Sequence, residues 1–197
     1  ETAASITRQR YFRLYDRMCG LTGTAAESAG EFWRFFEMPV EPIPLHRPCQ
    51  RKVLPERVFQ TQAAAFDAVL VDLHERYQRG QPVLVGTRNI RVSEEIAERL
   101  VAAGLPHLVL TAKQDQEESE IVAQAGQAGN ILIATNMAGR GTPIDLSPEA
   151  EAAGGLHVLA VERNDSIRID RQLIGRGARQ GGVGSAQFFV SADDFLM

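Results

Sequence analysis

Lysine is scarce in this sequence, because only Lys52 and Lys113 stand among its 21 basic residues. Neither lies in a Gly-x-x-x-x-Gly-Lys-Ser/Thr loop, in which a lysine and backbone N–H groups bind nucleotide phosphates. No Asp-Glu pair stands at the end of an apolar strand, the position at which such a pair would hold magnesium. The acidic pair Asp193-Asp194 lies near the C-terminus, after the last predicted strand. We therefore predict no metal ligands in this chain. If a nucleotide binds, this chain supplies only the second half of the binding site.

Paired cysteines, long apolar runs and positive net charge are absent as well. Cys19 and Cys49 stand far apart without neighbours of metal-ligand spacing, which predicts two reduced structural thiols. Runs such as Ile131 to Ala134 are far shorter than the roughly 18 to 20 residues of a membrane span. The net charge of −4 disfavours a nucleic-acid partner. The chain begins at Glu1 without Met, so we treat its natural length as open.

The composition is that of a packed globular protein. Of the 197 residues, 44% are hydrophobic and 23% are charged, which excludes disorder and a collagen-like chain. This length accommodates one large α/β domain, or one domain and part of another.

From Gln62 onward, helical and extended patterns alternate. The apolar spacing predicts helices before Gly80, from an N-cap at Ser93 to a C-cap at Gly104, and before Gly126. The predicted strands are Pro82 to Gly86, His107 to Leu110, Asn130 to Thr135, Gly155 to Val161 and Ala186 to Val190. Short apolar strands separated by helices indicate a parallel sheet of five or six strands with helices on both faces.

The first fifty residues have a different pattern. An aromatic-rich helix around Tyr11 and Tyr15, a turn at Thr22 to Thr24 and a second amphipathic helix precede a proline-rich stretch. Because closely spaced prolines exclude a helix, the stretch predicts an edge strand and an extended connector. We place a domain boundary near Pro48.

Three segments rich in glycine or arginine are candidate ligand-binding loops, expected at the carboxyl ends of the strands. Thr22 to Ala25 is by itself a weak signal, since such tetrapeptides occur in many turns. Ala134 to Asp145 brackets Arg140 with Gly139 and Gly141, which suits contact with a phosphate or an acidic side chain.

The third segment, Arg168 to Gly181, combines a helix with glycines and arginines. The helix is predicted to end at Gly175, beyond which Arg176 and Arg179 project. A solvated basic helix face explains this pattern about as well as an arginine-finger site for a phosphoryl group. A dinucleotide-binding loop is excluded, because the glycines follow a helix and do not open one after a strand.

Several longer strings resemble the SecA family of protein-translocation ATPases. They are SIT and YFRLY between Ser5 and Tyr15, LTGTA, the Arg47-Pro48 pair, GQPVLVGT, EIVAQAG, IATNMAGRGT and RIDRQLIGRGARQG. The strings are long, keep the family's order and spacing, and cover nearly the whole chain. They are therefore far more specific than any of the single motifs.

The resemblance implies a RecA-like three-layer α/β/α domain with a mainly parallel sheet, of the P-loop NTPase and superfamily-two helicase type. Residues 1–47 would be the C-terminal portion of the first motor domain plus a linker, and residues 48–197 the second RecA-like motor domain. ATP with magnesium would bind between the two domains. The isolated chain is therefore expected to hydrolyse no ATP.

The resemblance also implies roles for individual residues. Arg176 and Arg179 would reach the phosphates, and Gln172 would orient the helix or a water molecule. The nucleotide would also contact Gly139, Arg140, Gly141, Thr142, Asp145 and Gly175.

Partners and location follow from the same resemblance. The implied partners are the N-terminal motor domain, a preprotein substrate and a membrane channel of the Sec type, with no nucleic acid. The full-length protein would be cytoplasmic and peripherally associated with the membrane.

Two departures from the family pattern leave other functions open. Pro143 stands where the family motif GRGTDI has its aspartate, and Gly182 replaces the acid that ends GRSGRQGD. One alternative is a superfamily-two nucleic-acid helicase domain, which duplex-stimulated ATPase activity would indicate. The other is a degenerate RecA-like interaction module without nucleotide binding, which a nucleotide titration would reveal.

Overall fold

The computed structural model describes residues 5–110, 118–135 and 141–194. The chain divides into two compact units, Glu1–Pro44 and Leu45–Met197. Within the described residues, no helix combines the length and apolar content needed to cross a membrane.

The first unit contains short helices and no described strand. Its elements are α1 (Arg8–Phe12), a 3-10 turn (Ala26–Ser28) and α2 (Ala29–Phe36). Thr7 caps α1 by accepting a hydrogen bond from the Arg10 backbone N–H at 3.3 Å. The aromatic-rich helix and the second amphipathic helix predicted from the sequence are therefore present, although α1 is short.

The second unit is a parallel sheet with helices between its strands. The strands are β1 (Gln50–Val53), β2 (Arg57–Phe59), β3 (Val83–Thr87), β4 (Leu108–Leu110), β5 (Ile131–Thr135), β6 (Leu156–Ala160) and β7 (Val183–Ser191). The helices are α3 (Gln62–Gln78), α4 (Ile90–Ala102), α5 (Glu118–Ala125), α6 (Pro148–Ala152) and α7 (Ile167–Ile174), and a 3-10 turn covers Arg179–Gly181.

The strand order is β1-β7-β6-β3-β5-β4, and β2 also pairs with β7. Every registered pair is parallel. The predicted edge strand before residue 60 is present as two pieces, β1 and β2, which pair with successive parts of β7. The described sheet thus has seven strands, where the sequence predicted five or six.

Alternate side chains of the central strands enter two separate cores. Val83 and Val85 of β3 lie in the core that includes α3 and α4 residues such as Phe66 and Ile96. Leu84, between them, lies in the core shared with α5 and α7. Because helices cover both faces of the sheet there, the central strands β3, β5 and β6 are buried along their whole length. The RecA-like three-layer α/β/α fold predicted from the sequence is confirmed.

The N-cap predicted at Ser93 is wrong. The cap of α4 lies four residues earlier, where the Asn89 side chain accepts a hydrogen bond from the Val92 backbone N–H at 3.0 Å. Ser93 is buried inside the helix, and its hydroxyl bonds the Thr87 hydroxyl at 2.5 Å. Ser93 can lie within the helix because a buried neighbour satisfies its hydroxyl.

Candidate functional site

Helix α7 leads directly into the arginine-rich segment. The Ser166 hydroxyl accepts a hydrogen bond from the Arg168 backbone N–H at 3.2 Å and caps the start of the helix. Leu173 packs into the core over Gly86 of β3, where a Cβ would lie 2.4 Å from a Leu173 methyl carbon. As predicted, the helix ends at Gly175. The Gly175 backbone N–H donates a hydrogen bond to the Arg171 carbonyl at 2.9 Å.

The segment after α7 has an uncommon backbone. We call residues 175–182 the arginine loop, since it carries Arg176 and Arg179. Ala178 and Gln180 have φ of 52° and 54°, in the left-handed region that non-glycine residues rarely adopt. Such residues cost of order 1 kcal/mol each and persist where surrounding contacts impose them, often at functional sites. The arginine loop is therefore held in a strained conformation.

The arginine loop lies at the amino-terminal edge of the sheet. A Cβ on Gly177 would lie 3.2 Å from the carbonyl oxygen of Leu156, the first residue of β6. Because α7 starts after the carboxyl end of β6 and runs back along the sheet, its end reaches the opposite edge. The expectation that this segment lies at strand carboxyl ends is wrong for this reason.

Two residues of β1 and one of the preceding connector contact the arginine loop. The Arg51 guanidinium donates to the Gly177 carbonyl through Nε at 3.2 Å and Nη2 at 2.8 Å. Gln50 Nε2 donates to the Gly181 carbonyl at 2.5 Å. A Cβ added to Gly181 would lie 2.8 Å from the Cβ of Arg47, so the aliphatic part of Arg47 packs directly against Gly181. These contacts join parts of the chain that are distant in sequence.

A cleft of about 480 Å³ opens between the connector and the arginine loop. It is lined by Leu45, His46, Arg47, Cys49, Arg51, Ala178, Arg179, Gln180 and Gly181. Three of these side chains are guanidinium groups and none is a carboxylate. Guanidinium groups pair with phosphate and carboxylate oxygens, so the cleft suits an anionic ligand.

The other candidate residues near α7 are placed as follows. Arg176 and Gln172 are half-buried, and Arg179 is exposed, with its Nε donating to the Gly175 carbonyl at 3.3 Å. Of the three predicted catalytic residues, Arg179 lines the cleft, and Arg176 and Gln172 are not part of its lining.

The candidates after β5 lie on a different segment. Gly139 and Arg140 lie outside the described residues, whereas Gly141 adopts a φ of 92°. Thr142 is half-buried and Asp145 is exposed. The Asp145 carbonyl lies so close to Gly126 that a Cβ there would overlap it. Asp145 therefore lies beside the end of α5, because the chain must cross back from β5 to begin β6.

Ion pairs occupy the carboxyl edge of β3, β6 and β7. Arg88 Nη2 lies 3.7 Å from Glu162 and 3.2 Å from Asp194, and both carboxylates are largely buried. Burial raises the pKa of Glu162 above its ordinary value, although Arg88 opposes this shift. Arg163 similarly pairs with Glu56 at 2.8 Å and Asp170 at 3.0 Å.

Sequence reasoning missed the pairs of Arg88 with Glu162 and Asp194, because these three residues follow different strands. It also missed the roles of Arg51 and Gln50, for which no local motif gave a signal. Arg47 did carry a signal, as part of the Arg47-Pro48 pair. In the described ranges, no three His, Cys, Asp or Glu side chains form a group that could bind a metal ion.

Solved structures share this fold. The chain is 24% identical to the E. coli DEAD-box protein SrmB bound to regulator of ribonuclease activity A, with a TM-score of 0.56, covering 79% of this chain and 82% of that one. It is 20% identical to Mss116p DEAD-box helicase domain 2 bound to an RNA duplex, with a TM-score of 0.54, covering 73% of this chain and 55% of that one. At these identities the likeness concerns the fold alone.

Curated relatives match along the whole chain. Identity is 49% over 197 residues with the protein translocase subunit SecA of Amoebophilus asiaticus and 51% with that of Desulfovibrio desulfuricans. Identity is 50% over 196 residues with the protein translocase subunit SecA 2 of Bordetella avium. The chain spans 18%, 23% and 30% of the lengths of these three relatives.

Two family models divide the sequence between them. The SecA DEAD-like domain matches residues 1–33. The SecA P-loop domain matches residues 48–153 and 147–197, which together cover most of the chain and include the arginine loop. The RecA-like fold, the relatives that match end to end and this family model agree, and the chain belongs to the SecA family.

Proposed function

We propose that residues 48–197 form the second motor domain of a SecA-type ATPase, with residues 1–47 the C-terminal portion of the first motor domain plus a linker. We further propose that the arginine loop contacts the phosphates of ATP. The single observation that carries this proposal is the cleft in which Arg179 lies together with Arg47 and Arg51, without a carboxylate in its lining. Such a surface attracts an anion and would stabilise negative charge on a phosphoryl group.

The residues of the chain fit part of a nucleotide site. The guanidinium groups suit the phosphates, but the sequence has no phosphate-binding Gly-Lys loop. ATP and its magnesium ion would therefore be held mainly by another motor domain, and ATP bound there would supply the phosphoryl group for hydrolysis. Arg176 and Arg179 would neutralise charge on that group, and Gln172 would orient the helix or a water molecule.

The remaining candidates form a second part of the proposed site. Five of them would line the nucleotide site between the two motor domains: Gly139, Arg140, Gly141, Thr142 and Gly175. Asp145 would offer a carboxylate near the position where Pro143 replaces the family's aspartate. These assignments follow the resemblance to the SecA family.

The wider activity is proposed for the full-length protein. ATP binding and hydrolysis would move a preprotein through a Sec-type membrane channel, with the protein cytoplasmic and peripherally bound to the membrane. Its implied partners are the first motor domain, the preprotein and the channel, with no nucleic acid. Support comes from relatives named protein translocase subunit SecA, of which this chain covers a minor part.

Steady-state ATPase assays of the full-length protein test the proposed site. Arg176→Ala and Arg179→Ala should each lower kcat by about 10³-fold or more, as removal of an arginine finger does. Their affinity for a nonhydrolysable ATP analogue should change little, because the other domain supplies most of the binding. Arg79→Ala is the matched control, since Arg79 is a strongly exposed arginine at the end of α3.

Three results would contradict the proposal. Equal effects of all three substitutions would indicate a general electrostatic role for basic residues. Failure of the unaltered full-length protein to bind nucleotide would favour a non-catalytic interaction module. ATPase activity stimulated by duplex nucleic acid, and not by a preprotein, would favour a helicase.

A further inference from the structure

We infer that Arg51 and Gln50, consecutive residues of β1, are positioning residues that hold the arginine loop in the geometry its arginines need. This inference rests on the proposed function, because it assigns these residues a role at the same site. We call the two side chains and their hydrogen bonds to the loop the β1 clasp.

The β1 clasp forms hydrogen bonds to two carbonyl groups of the arginine loop. Both donors of Arg51 converge on the Gly177 carbonyl, at 3.2 and 2.8 Å. The Gln50 amide donates to the Gly181 carbonyl at 2.5 Å. Gly177 directly follows Arg176, and Gly181 comes two residues after Arg179. The loop is thus held on both sides of Arg179.

The loop requires such external contacts because its own backbone disfavours the observed conformation. Ala178 and Gln180 lie between the two gripped carbonyls, and both have left-handed φ angles. Conformations of this kind persist only when surrounding structure imposes them. Hydrogen bonds to the flanking carbonyls supply this constraint, and a charged donor makes the one from Arg51 stronger than a neutral bond.

The sheet makes the clasp a rigid support. Gln50 pairs with Val183 and Arg51 with Gly184, so β1 is in register with the strand that follows the loop. Lys52 follows Arg51 on β1, and its side chain is exposed. Since successive side chains of a strand point to opposite faces, Lys52 shares the face of Gln50, and unlike Arg51 it does not line the cleft.

A loop released from the clasp would misplace Arg179 without removing it. Displacement of a catalytic group by about 1 Å can cost on the order of 100-fold in rate. Loss of clasp donors should therefore lower kcat and leave the affinity for nucleotide largely unchanged. We expect Arg51→Met and Gln50→Leu to lower kcat of the full-length protein by about 10- to 100-fold, with KM for ATP within about threefold of the unaltered protein.

Lys52→Met is the matched control for Arg51→Met, since it removes one positive charge from the next position of the same strand. It should leave kcat unchanged. Gln50→Leu removes no charge, so a decrease in its kcat is explained by loss of positioning and not by a weaker field at the phosphates. An unchanged kcat in both Arg51→Met and Gln50→Leu would overturn the inference.

A double-mutant cycle separates positioning from direct contact. In the Arg179→Ala background, Arg51→Met should lower kcat by a smaller factor than it does in the unaltered protein, because one of the two arginines that it positions is already absent. If the two effects multiply in full, Arg51 acts independently of Arg179 and the inference is wrong.

Amide hydrogen exchange distinguishes failure of this inference from failure of the proposed function. Arg51→Met should speed exchange across residues 176–182 and leave β3 unchanged; equal acceleration in both would show general destabilisation and overturn the inference. If Arg179→Ala leaves kcat intact, the proposed function fails, while exchange in the loop still reports on the clasp. If Arg179→Ala lowers kcat and the clasp variants change neither kcat nor exchange, the clasp alone fails.

Discussion

The Nδ1 atom of His157 lies 2.7 Å from the Ser185 hydroxyl oxygen, and this contact joins β6 to β7 inside the sheet. The imidazole is completely buried, and its Nε2 atom lies 3.8 Å from an Asp72 carboxylate oxygen that Arg76 also engages. Burial, together with the nearby Arg76 charge, lowers the pKa of His157 from 6.5 to about 3. The folded protein therefore keeps this histidine neutral.

Stability should fall in mild acid because of His157. Between pH 6.5 and about 3, the unfolded chain binds a proton at this histidine that the folded protein does not bind. The free energy of unfolding should therefore drop by up to about 1.4 kcal/mol per pH unit below 6.5 from this group. Urea unfolding at pH 7.5 and pH 5.0 measures the drop.

His157→Gln provides the reference for that measurement. It should be less stable than the unaltered protein at pH 7.5, yet lose less stability between pH 7.5 and 5.0. Groups such as Glu162, whose pKa is raised and whose contribution has the opposite sign, titrate in both proteins and cancel in the comparison. Identical pH slopes would show that His157 does not cause the acid sensitivity.

Ala178→Gly should raise the melting temperature. Glycine adopts the left-handed φ of 52° without the steric cost that alanine carries, which is of order 1 kcal/mol. The larger entropy of glycine in the unfolded chain offsets part of the gain. Ala65→Gly, in the buried face of α3, should instead lower the melting temperature. A similar decrease in both variants would mean that Ala178 is not strained.

Gly86→Ala should destabilise the second unit through Leu173. The added Cβ would lie 2.4 Å from a Leu173 methyl carbon, so the side chain must move within a packed core. Overpacking of this kind costs about 1 to 3 kcal/mol. Denaturant unfolding of Gly86→Ala, Leu173→Ala and the double variant should show a smaller loss in the pair than the sum of the single losses. Additive losses would indicate that the two positions do not compete for space.

Pro143→Asp tests whether the segment after β5 contacts the nucleotide. The substitution restores the carboxylate and the backbone N–H that the family motif has at this position. In the full-length protein we expect ATP to bind more tightly by roughly 1.5 to 3 kcal/mol, as for one hydrogen bond involving a charged group. Isothermal titration calorimetry measures the change. Pro42→Asp, outside the second unit, is the control, and equal affinities would show that the segment does not reach the ligand.

The alternation of helix and strand patterns was readable from the sequence because it depends on local spacing. Apolar runs such as Ile131 to Thr135 predicted strands buried on both faces, and β5 has this burial throughout. Gly104, predicted to follow the end of α4 in a left-handed conformation, has a φ of 67°. Asn89 was missed as the cap of α4, because both Asn89 and Ser93 suit a helix start and only packing against Thr87 decides between them.

The candidate site was only partly readable from the sequence. The glycines and arginines from Arg168 to Gly181 predicted the end of α7 and singled out Arg176 and Arg179, because both features are local. The sequence could not place the loop at the amino-terminal edge of the sheet or show that Arg51 holds Gly177. Those relationships join positions 126 residues apart. They arise only when β1 pairs with β7, since a parallel sheet brings strands together according to their order in space and not their order along the chain.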